Sequence, residues 1–573
     1  MASALMLAAL VLPVVVCLYA AARRKRFSQY EAFPQPSKPS LLWGHMQTLQ
    51  KALKRGPEGL HFDVYAHDLL KSMPGSPSLL FLDLRPITWP MAVIARHEVA
   101  EQISRSSKLF PYSTPKSPTM AEFLRLIGPR SFLVHSGDDW KEVRKRFNPG
   151  FAPQHLMTLL PCILDKTSIF VDRLDGYARS GEDFLLLQAV IDLTFDIIGA
   201  VVMDVDFNAQ LAHASGRRGD FIPAYEELVK TYAGRNPGIP WFFFVKRLWK
   251  RWRLSSKVDK VIRDVILDKF AEQQRGQKAA EGTANGISDK AKARSVLNLS
   301  LQGREVLDDA LLEETVDSIK TFMFAGHDTT SIVLSWALYY LSLYPSCREA
   351  LAAELDDVFG PDSDPAAVKG KLSSPGGHEL INRMPYTTAV IKETLRLRPP
   401  ASTARMARPG SGLVVRTPEG QDLCLDGMLI YVCASIIQRD RNVYGETADE
   451  FVPERWLNDK SGIMSATSNV DVAAPAAGAE KTIPASAWRA FERGPRNCIG
   501  QDLATIEARV ILAMVARRYE FVKVGLGELE RDEKGLPVME ESGRHYKVKS
   551  EVFNTSQITS KPVDSMKMKV KIR

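Results

Sequence analysis

The chain has 573 residues, 45% of them hydrophobic and 25% charged, which supplies apolar material for a large core and argues against wholesale disorder. Its net charge of +8 is modest for this length, and without zinc-finger spacing, an RNA-binding signature or a basic zipper helix nothing points to nucleic acid. Six cysteines, Cys17, Cys162, Cys347, Cys424, Cys433 and Cys498, never form a C-x-x-C pair, which argues against a disulfide scaffold or structural zinc and for a reducing compartment.

Residues 2–22 are apolar and uncharged, and Arg23, Arg24, Lys25 and Arg26 follow them. Roughly 20 apolar residues span a bilayer core. No basic stretch precedes the run, so it reads as a transmembrane anchor (1–22) rather than a cleaved signal peptide. The positive cluster places the N-terminus in the lumen and the remainder in the cytosol. Residues 23–40 form a basic, Pro-rich linker, stiff and extended over 33–40, and the body runs from 41 to 573.

Within the body, two short apolar runs over 79–94, broken around Pro86, predict a hairpin or meander. Helical periodicity follows over 139–147, 153–177, 187–205, 221–232 and 254–274. Residues 238–254 carry an aromatic run merging into Lys and Arg, which fits either a helix start packed on the core or a segment dipping into a membrane interface. The polar stretch 275–293 and the Ala/Ser-rich stretch 461–479 read as surface loops.

Residues 317–343 form a long apolar helix containing Lys320 and interrupted by Gly326, His327 and Asp328. Those charges are too costly in lipid, so a buried central helix is expected, and its polar interruption needs partners. Residues 547–553 and 566–572 alternate like strands. The fold class is mainly α with small β-sheets.

The segment carrying the chemistry is FERGPRNCIG, Phe491 to Gly500, followed by a helical run. Gly494-Pro495 makes a tight turn that lets backbone approach a flat ligand. Cys498 falls at the mouth of a helix, where unpaired N–H groups and the dipole favour a thiolate. Arg496 can bond a carboxylate, and Gly500 removes a side chain beside a cofactor.

These residues match the haem-binding signature of the cytochrome P450 family, F-x-x-G-x-R-x-C-x-G, at Phe491, Gly494, Arg496, Cys498 and Gly500. Three earlier segments resemble the same family. Glu393-Thr394-Leu395-Arg396 is similar to its E-x-x-R. Residues 451–456 are similar to its P-E-R-F segment, with Trp456 in place of the usual Phe; Arg455 would complete a structural network with Glu393 and Arg396. Ala325 to Thr330 resembles its oxygen-binding A-G-x-D/E-T-T. Gly326 is expected to weaken the helix where dioxygen fits, Asp328 to offer a proton source reaching solvent, Thr329 to offer a hydroxyl, and His327 to pack or bond water rather than ligate iron. Trp140 and Arg144 match W-x-x-x-R, one turn apart and facing the same way, a pair able to clamp a haem propionate. Arg405 stands near the family's further propionate-binding Arg.

The resemblance covers roughly residue 40 to the end. It implies the cytochrome P450 fold and a haem-thiolate monooxygenase: haem b with Cys498 as axial thiolate, O2 and NADPH-derived electrons as co-substrates, and an apolar small molecule to be hydroxylated or epoxidised. It further implies NADPH–cytochrome P450 reductase, with cytochrome b5 as a possible second donor, and an endoplasmic reticulum membrane. The texture resembles fungal or animal microsomal members, with a leaning toward fungal secondary metabolism. Substrate contacts are expected from 109–132, 221–248, the helix near Phe324, 401–404 and 554–558. The alternatives are a reductase-independent haem-thiolate isomerase or dehydratase, against which the Asp328-Thr329 pair argues, and a haem-binding protein without turnover.

Overall fold

Two long apolar runs become the pair of helices around which everything else packs. The computed structural model describes residues 2–211, 221–232, 245–281, 295–457 and 482–573, with 2–13, 15 and 277–281 described by their backbone alone. Helix Asp309–Leu343 crosses the interior and lies along helix Leu186–Met203. Its start is capped by Asp308, whose carboxylate accepts from Leu311 N at 2.8 Å. Tyr344, extended ahead of Pro345, ends it. Helices Leu160–Ser180, Pro385–Leu397 and Gln501–Val515 share the same core. Leu186–Met203 has the length and composition to cross a membrane, but it is buried among these neighbours.

Lys320 and Asp317 of the central helix are partnered, as burial demands. Lys320 Nζ lies 2.6 Å from Asp259 Oδ1 and donates to Ser255 Oγ at 3.1 Å, both on helix Val245–Glu281. Asp317 accepts from Arg130 N at 2.8 Å, while burial pushes its carboxyl up to about 6.

The runs over 79–94 form strands Leu79–Leu82 and Met91–Ile94, antiparallel with Leu79 opposite Ile94. The second pairs in parallel with Leu429–Val432, and Thr403–Arg405 closes the edge. Leu79, Phe81, Ala92 and Ile94 face one apolar cluster; Leu80, Leu82, Met91 and Val93 face another. Burial on both faces explains runs that are continuously apolar rather than alternating. A three-stranded sheet orders Phe184–Leu185, Lys567–Ile572 and Tyr519–Lys523.

Helix Ala2–Phe27 leads into this body. Arg26 Nε bonds Asp83 Oδ2 at 3.0 Å and Nη2 bonds Arg85 O at 2.9 Å. Phe27, Tyr30 and Phe33 are buried, and Tyr30 stacks on Phe81 with centroids 4.5 Å apart. The last basic residue after the apolar run is therefore engaged with the body.

Two expectations are corrected. The helix over 153–177 is two, Pro153–Thr158 and Leu160–Ser180, because Pro161 lacks the N–H that would continue the ladder. Residues 547–553 form no strand; their one isolated bridge is Leu529 with Val548. The expected helix over 254–274 is longer, Val245–Glu281. The expected loop 461–479, residues 282–293 of the expected loop 275–293, and residues 238–244 of the aromatic run lie outside the described residues.

Candidate functional site

The cysteine loop is shaped by its own backbone. Cys498 N donates to Phe491 O at 2.9 Å and Asn497 N to Gly494 O at 3.1 Å, turning the chain into helix Gln501–Val515. Gly494 takes φ +76°, and a Cβ there would stand 2.1 Å from Ser104 O. This glycine is needed for a left-handed turn against another backbone segment, not for the expected approach to a ligand. At Gly500 a Cβ would meet nothing nearer than Cys498 Sγ at 4.0 Å, so the protein leaves that wall open.

Cys498 borders a cavity of ≈ 360 Å³ that Trp140, Arg144, Gly326, Thr329, Phe491, Arg496 and Gly500 also line. Its thiol is exposed to that cavity while lying deep inside the protein. Burial pushes the thiol up, and the Gly500 N–H and the Arg144 guanidinium only partly offset this. The helix mouth does not by itself secure a thiolate; a metal cation in the cavity would supply the missing counter-charge.

One side of the cavity is crowded with cations. Arg144 donates to Asn497 O at 2.7 Å and to Asn497 Oδ1 at 3.1 Å. Arg496 donates to Phe132 O at 3.2 Å and stands 5.0 Å from the Trp140 ring centroid. Burial, then the neighbouring Arg405 and Arg144, holds Arg496 down at about 9. Arg405 is fully buried behind the wall, with Nε and Nη2 lacking hydrogen-bond partners; its Nη2 is 4.0 Å from Glu492 Oε2. Glu492, with burial opposed by Arg489, Arg405 and Lys116, is held at about 2. Its Oε1 already accepts from Arg489 at 2.7 Å.

Sequence reasoning missed Lys116. Residues 115–117 pair with the edge strand: Ser117 N donates to Ala404 O at 3.1 Å and Met406 N to Pro115 O at 3.0 Å. That pairing carries Lys116 into the cavity wall, where Nζ donates to Thr403 Oγ1 at 2.7 Å. Burial and the adjacent Arg405 hold its ammonium well below the ordinary lysine range. Four cations gathered at one wall, Arg405 among them with two orphaned donors, call for anionic partners. Two carboxylates on a flat ligand reaching Cys498 satisfy both demands, and haem b fits the residues present.

The oxygen-binding resemblance is split by the fold. Thr329 lines the cavity, its Oγ1 donating to Ala325 O at 2.7 Å. Asp328 points elsewhere. It is 1% exposed, so it does not itself reach solvent as expected. Lys561 Nζ lies 2.5 Å from its Oδ1, and Thr559 Oγ1 donates to its Oδ2. Burial raises this carboxyl, but Lys561 and His327 outweigh burial and leave it depressed. His327 packs as expected, edge-on to Phe195 and Tyr225 at 5.3 and 5.6 Å. The central helix runs unbroken through Gly326. A Cβ there would stand 2.5 Å from Ile198 Cδ1, so this glycine admits the neighbouring helix rather than weakening its own.

Glu393, Arg396 and Arg455 stand away from the cavity in a closed network. Arg396 Nε and Nη2 donate to the two Glu393 oxygens at 2.9 and 2.8 Å, and Arg455 Nε adds a bond at 3.0 Å. Trp456 donates its indole N–H to Glu393 Oε2 at 2.9 Å, a bond that Phe cannot make. We expect Trp456→Phe to cost about 2–3 kcal/mol, combining an acceptor left short of a donor with a small cavity. An unchanged urea midpoint would remove Trp456 from the network.

Of the expected substrate segments, Lys116, Met120 and Phe132 from the first, Thr321, Phe322, Ala325 and Gly326 on the helix near Phe324, and Ala401 to Ala404 line the cavity; residues 221–232 and 245–248 and residues 554–558 do not.

The family model for cytochrome P450 matches residues 80–547. The chain belongs to the cytochrome P450 family. As a member it is a cytochrome P450 monooxygenase, an enzyme class built on haem iron. It is 35% identical over 453 residues to cytochrome P450 monooxygenase acrF of Aspergillus aculeatus, an alignment covering 76% of this chain and 83% of that protein. Similarity to cytochrome P450 monooxygenase polC of Polytolypa hystricis is 28% over 512 residues, 88% of this chain and 84% of the relative. Cytochrome P450 4V2 of Homo sapiens is 27% identical, with 90% of each chain covered. The crystal structure of the cytochrome P450DA haem domain superposes with a TM-score of 0.66 at 17% identity, covering 94% of this P450 and 97% of that chain. That likeness carries the fold.

Proposed function

We propose that this cytochrome P450 uses NADPH-derived electrons, delivered by cytochrome P450 reductase with cytochrome b5 as an auxiliary donor, to hydroxylate or epoxidise an apolar small molecule. The observation that supports this most is one cavity bordered by Cys498, Thr329, Lys116, Arg144 and Arg496, with the unsatisfied Arg405 guanidinium behind its wall. Bound haem b supplies the oxygen chemistry, in which one oxygen atom of O2 goes to substrate and the other to water.

The chain's own residues have separable tasks. Cys498 Sγ would hold the haem iron as a thiolate. Trp140, Arg144, Arg405, Arg496 and Lys116 would hold the haem carboxylates. Phe491 and Gly500 shape the wall next to the sulfur. The Thr329 hydroxyl holds a proton on the cavity side, with Asp328 behind it. Phe132, Phe322 and Val333 present apolar surface to substrate. The acid–alcohol pair favours this reading over a reductase-independent isomerase or dehydratase, and over a haem-binding protein without turnover.

The expected result for Thr329→Ala, reconstituted with reductase and NADPH, is NADPH oxidation uncoupled from product with release of peroxide. Unchanged coupling would remove Thr329 from proton handling. A panel of lipophilic compounds, secondary-metabolite skeletons among them, screened by difference spectroscopy identifies the substrate class.

The same reading places the enzyme on the endoplasmic reticulum membrane through residues 1–22, with the catalytic domain, 41–573, in the cytosol. Val14, Val16, Leu18 and Tyr19 are exposed on helix Ala2–Phe27. Val245, Leu248, Trp249 and Trp252 make an exposed stripe at helical spacing among Lys and Arg, suited to an interface. Deleting residues 2–24 is expected to shift most of the enzyme from the membrane to the soluble fraction; full retention would assign binding to the stripe.

A further inference from the structure

The segment from Ile127 to His135 runs between the central helix and the cysteine loop and is gripped from both. On the central helix, Glu314, Asp317 and Thr321 stand three and four residues apart, so their side chains share one face. Thr321 Oγ1 donates to Ile127 O at 2.9 Å. Asp317 Oδ2 accepts from Arg130 N at 2.8 Å, and Glu314 Oε2 is 3.9 Å from His135 Nε2. From the other side Arg496 donates to Phe132 O at 3.2 Å and to Leu133 O at 3.3 Å. Between these grips Phe132 and Leu133 line the cavity, and the Phe132 ring stacks on Phe322 with centroids 5.2 Å apart.

We propose that Asp317 is a positioning residue for substrate selectivity: by holding the backbone of Arg130 it sets how far Phe132 closes the cavity on a bound molecule. The inference rests on the reading of this cavity as the substrate site.

Local backbone brings the carboxylate into place. Helix Leu124–Ile127 ends at Gly128, whose φ of +81° turns the chain. A Cβ on Gly128 would lie 2.0 Å from Asp317 Cγ, so the bare glycine lets the carboxylate reach Arg130 N. The Arg130 side chain is exposed, and the grip is on backbone. Ser131, next in the segment, is fully buried and its Oγ has no hydrogen-bond partner among the described residues. The segment therefore sits in this position at a local cost and depends on its grips.

Electrostatics give the same sign. Lys320 and Glu313 face Asp317 from its own helix and Asp259 from helix Val245–Glu281, while Arg125 of the short helix lies toward Tyr232. Burial outweighs the Arg130 bond and Lys320, and leaves Asp317 raised to about 6. An ionised carboxylate here is a net cost to stability at neutral pH, relieved as pH falls through that value. Stability alone would favour a neutral residue, which points to a role in what the carboxylate grips.

The test uses full-length holoenzyme and two probes that bind haem iron through a ring nitrogen, 1-phenylimidazole and the bulkier 1-tritylimidazole, followed by difference spectroscopy. Binding of the bulky probe relative to the small one is expected to rise roughly tenfold in Asp317→Ala, and in the same direction in Asp317→Asn. Phe132→Ala should shift the ratio likewise, and combining it with Asp317→Ala should add nothing, because Asp317 acts through Phe132. A ratio unchanged in Asp317→Ala but shifted in Phe132→Ala would overturn the proposal and leave the cavity reading intact. Failure of both probes to bind wild type would remove the cavity reading, and the proposal with it.

Hydrogen exchange over 127–135 reports the grip without ligand or turnover. Corrected for intrinsic rates, protection is expected to fall roughly tenfold in Asp317→Ala. In wild type it should fall as pH drops through about 6, since protonation takes the charge from the bond. Asp317→Asn, neutral throughout, should stay at the low-pH level at every pH. A slope retained in Asp317→Asn would assign the titration to His135 and overturn the proposal. The urea midpoint of Asp317→Asn is expected not to fall, since a buried charge is removed. A midpoint that falls in step with protection would make Asp317 structural and overturn its positioning role. Should Asp317→Ala fold poorly, the isosteric Asn variant still decides.

Discussion

Cys498→Ala is expected to abolish monooxygenation and to lose the ferrous–CO absorption band characteristic of thiolate ligation, while leaving the apoprotein folded. The two halves of this result have separate physical causes. The thiol faces the cavity rather than a packed neighbour, so its removal deletes little packing. The backbone bond from position 498 to Phe491 O, which shapes the loop, survives in alanine. A urea midpoint within about 1 kcal/mol of wild type is therefore expected for the apoprotein, as for a substitution outside the packed core. Ligation is different in kind, because among the described residues no other cysteine lines the cavity. A retained thiolate band in Cys498→Ala would place the ligand elsewhere and sink the reading of the whole loop. Loss of the fold together with the band would show that the thiol's role is structural.

Cys498 was legible as a cavity residue because its motif has fixed local spacing, and the pairing of Glu393 with Arg396 because they stand three residues apart on one helix. Trp140 and Arg144 were legible as residues one turn apart, and both line the cavity. What the sequence hid depends on pairing between distant segments. Lys116 reaches the cavity only because residues 115–117 bridge to 404–406, and nothing in its own neighbourhood signals that. Asp328 and Thr329 are adjacent in sequence, yet one faces the cavity and the other faces Lys561, because successive residues on a helix point about 100° apart. The glycines show a related limit. Gly326 and Gly494 were read as making room for ligands, whereas the atoms that need the space belong to Ile198 and Ser104. Alternation over 547–553 mimicked a strand but found only one isolated bridge.

Glu393→Ala is expected to have the largest effect on stability of any single change outside the cysteine loop. The carboxylate is fully buried and accepts from Arg396 twice, Arg455, Trp456 and the Val452 backbone. Arg396 spends its remaining donors on the carbonyls of Gln438, Ala448 and Glu450 at 2.8, 2.6 and 2.8 Å. Deleting the carboxylate strands two guanidinium groups, one of them fully buried, without their counter-charge. Breaking a buried pair in this way costs about 3–5 kcal/mol, a large fraction of a typical 5–15 kcal/mol total. Glu393→Gln should be nearly as damaging, since its amide NH2 would confront N–H donors. The expected measurements are a large fall in the urea midpoint and little haem recovered in folded protein; a midpoint near wild type would reduce the network to decoration. The network also fixes the sign of the acid response. Burial raises Glu393, but Arg396 and Arg455 outweigh it and the net shift is downward; Glu492 and Asp63 are depressed to about 2. Carboxyls with lowered folded values contribute stability that is complete above the ordinary carboxylate range, near pH 4, and is lost as pH falls through the folded values. Stability should therefore decline from about pH 4 toward pH 2, and Glu393→Gln should flatten that decline by removing one of the titrating groups.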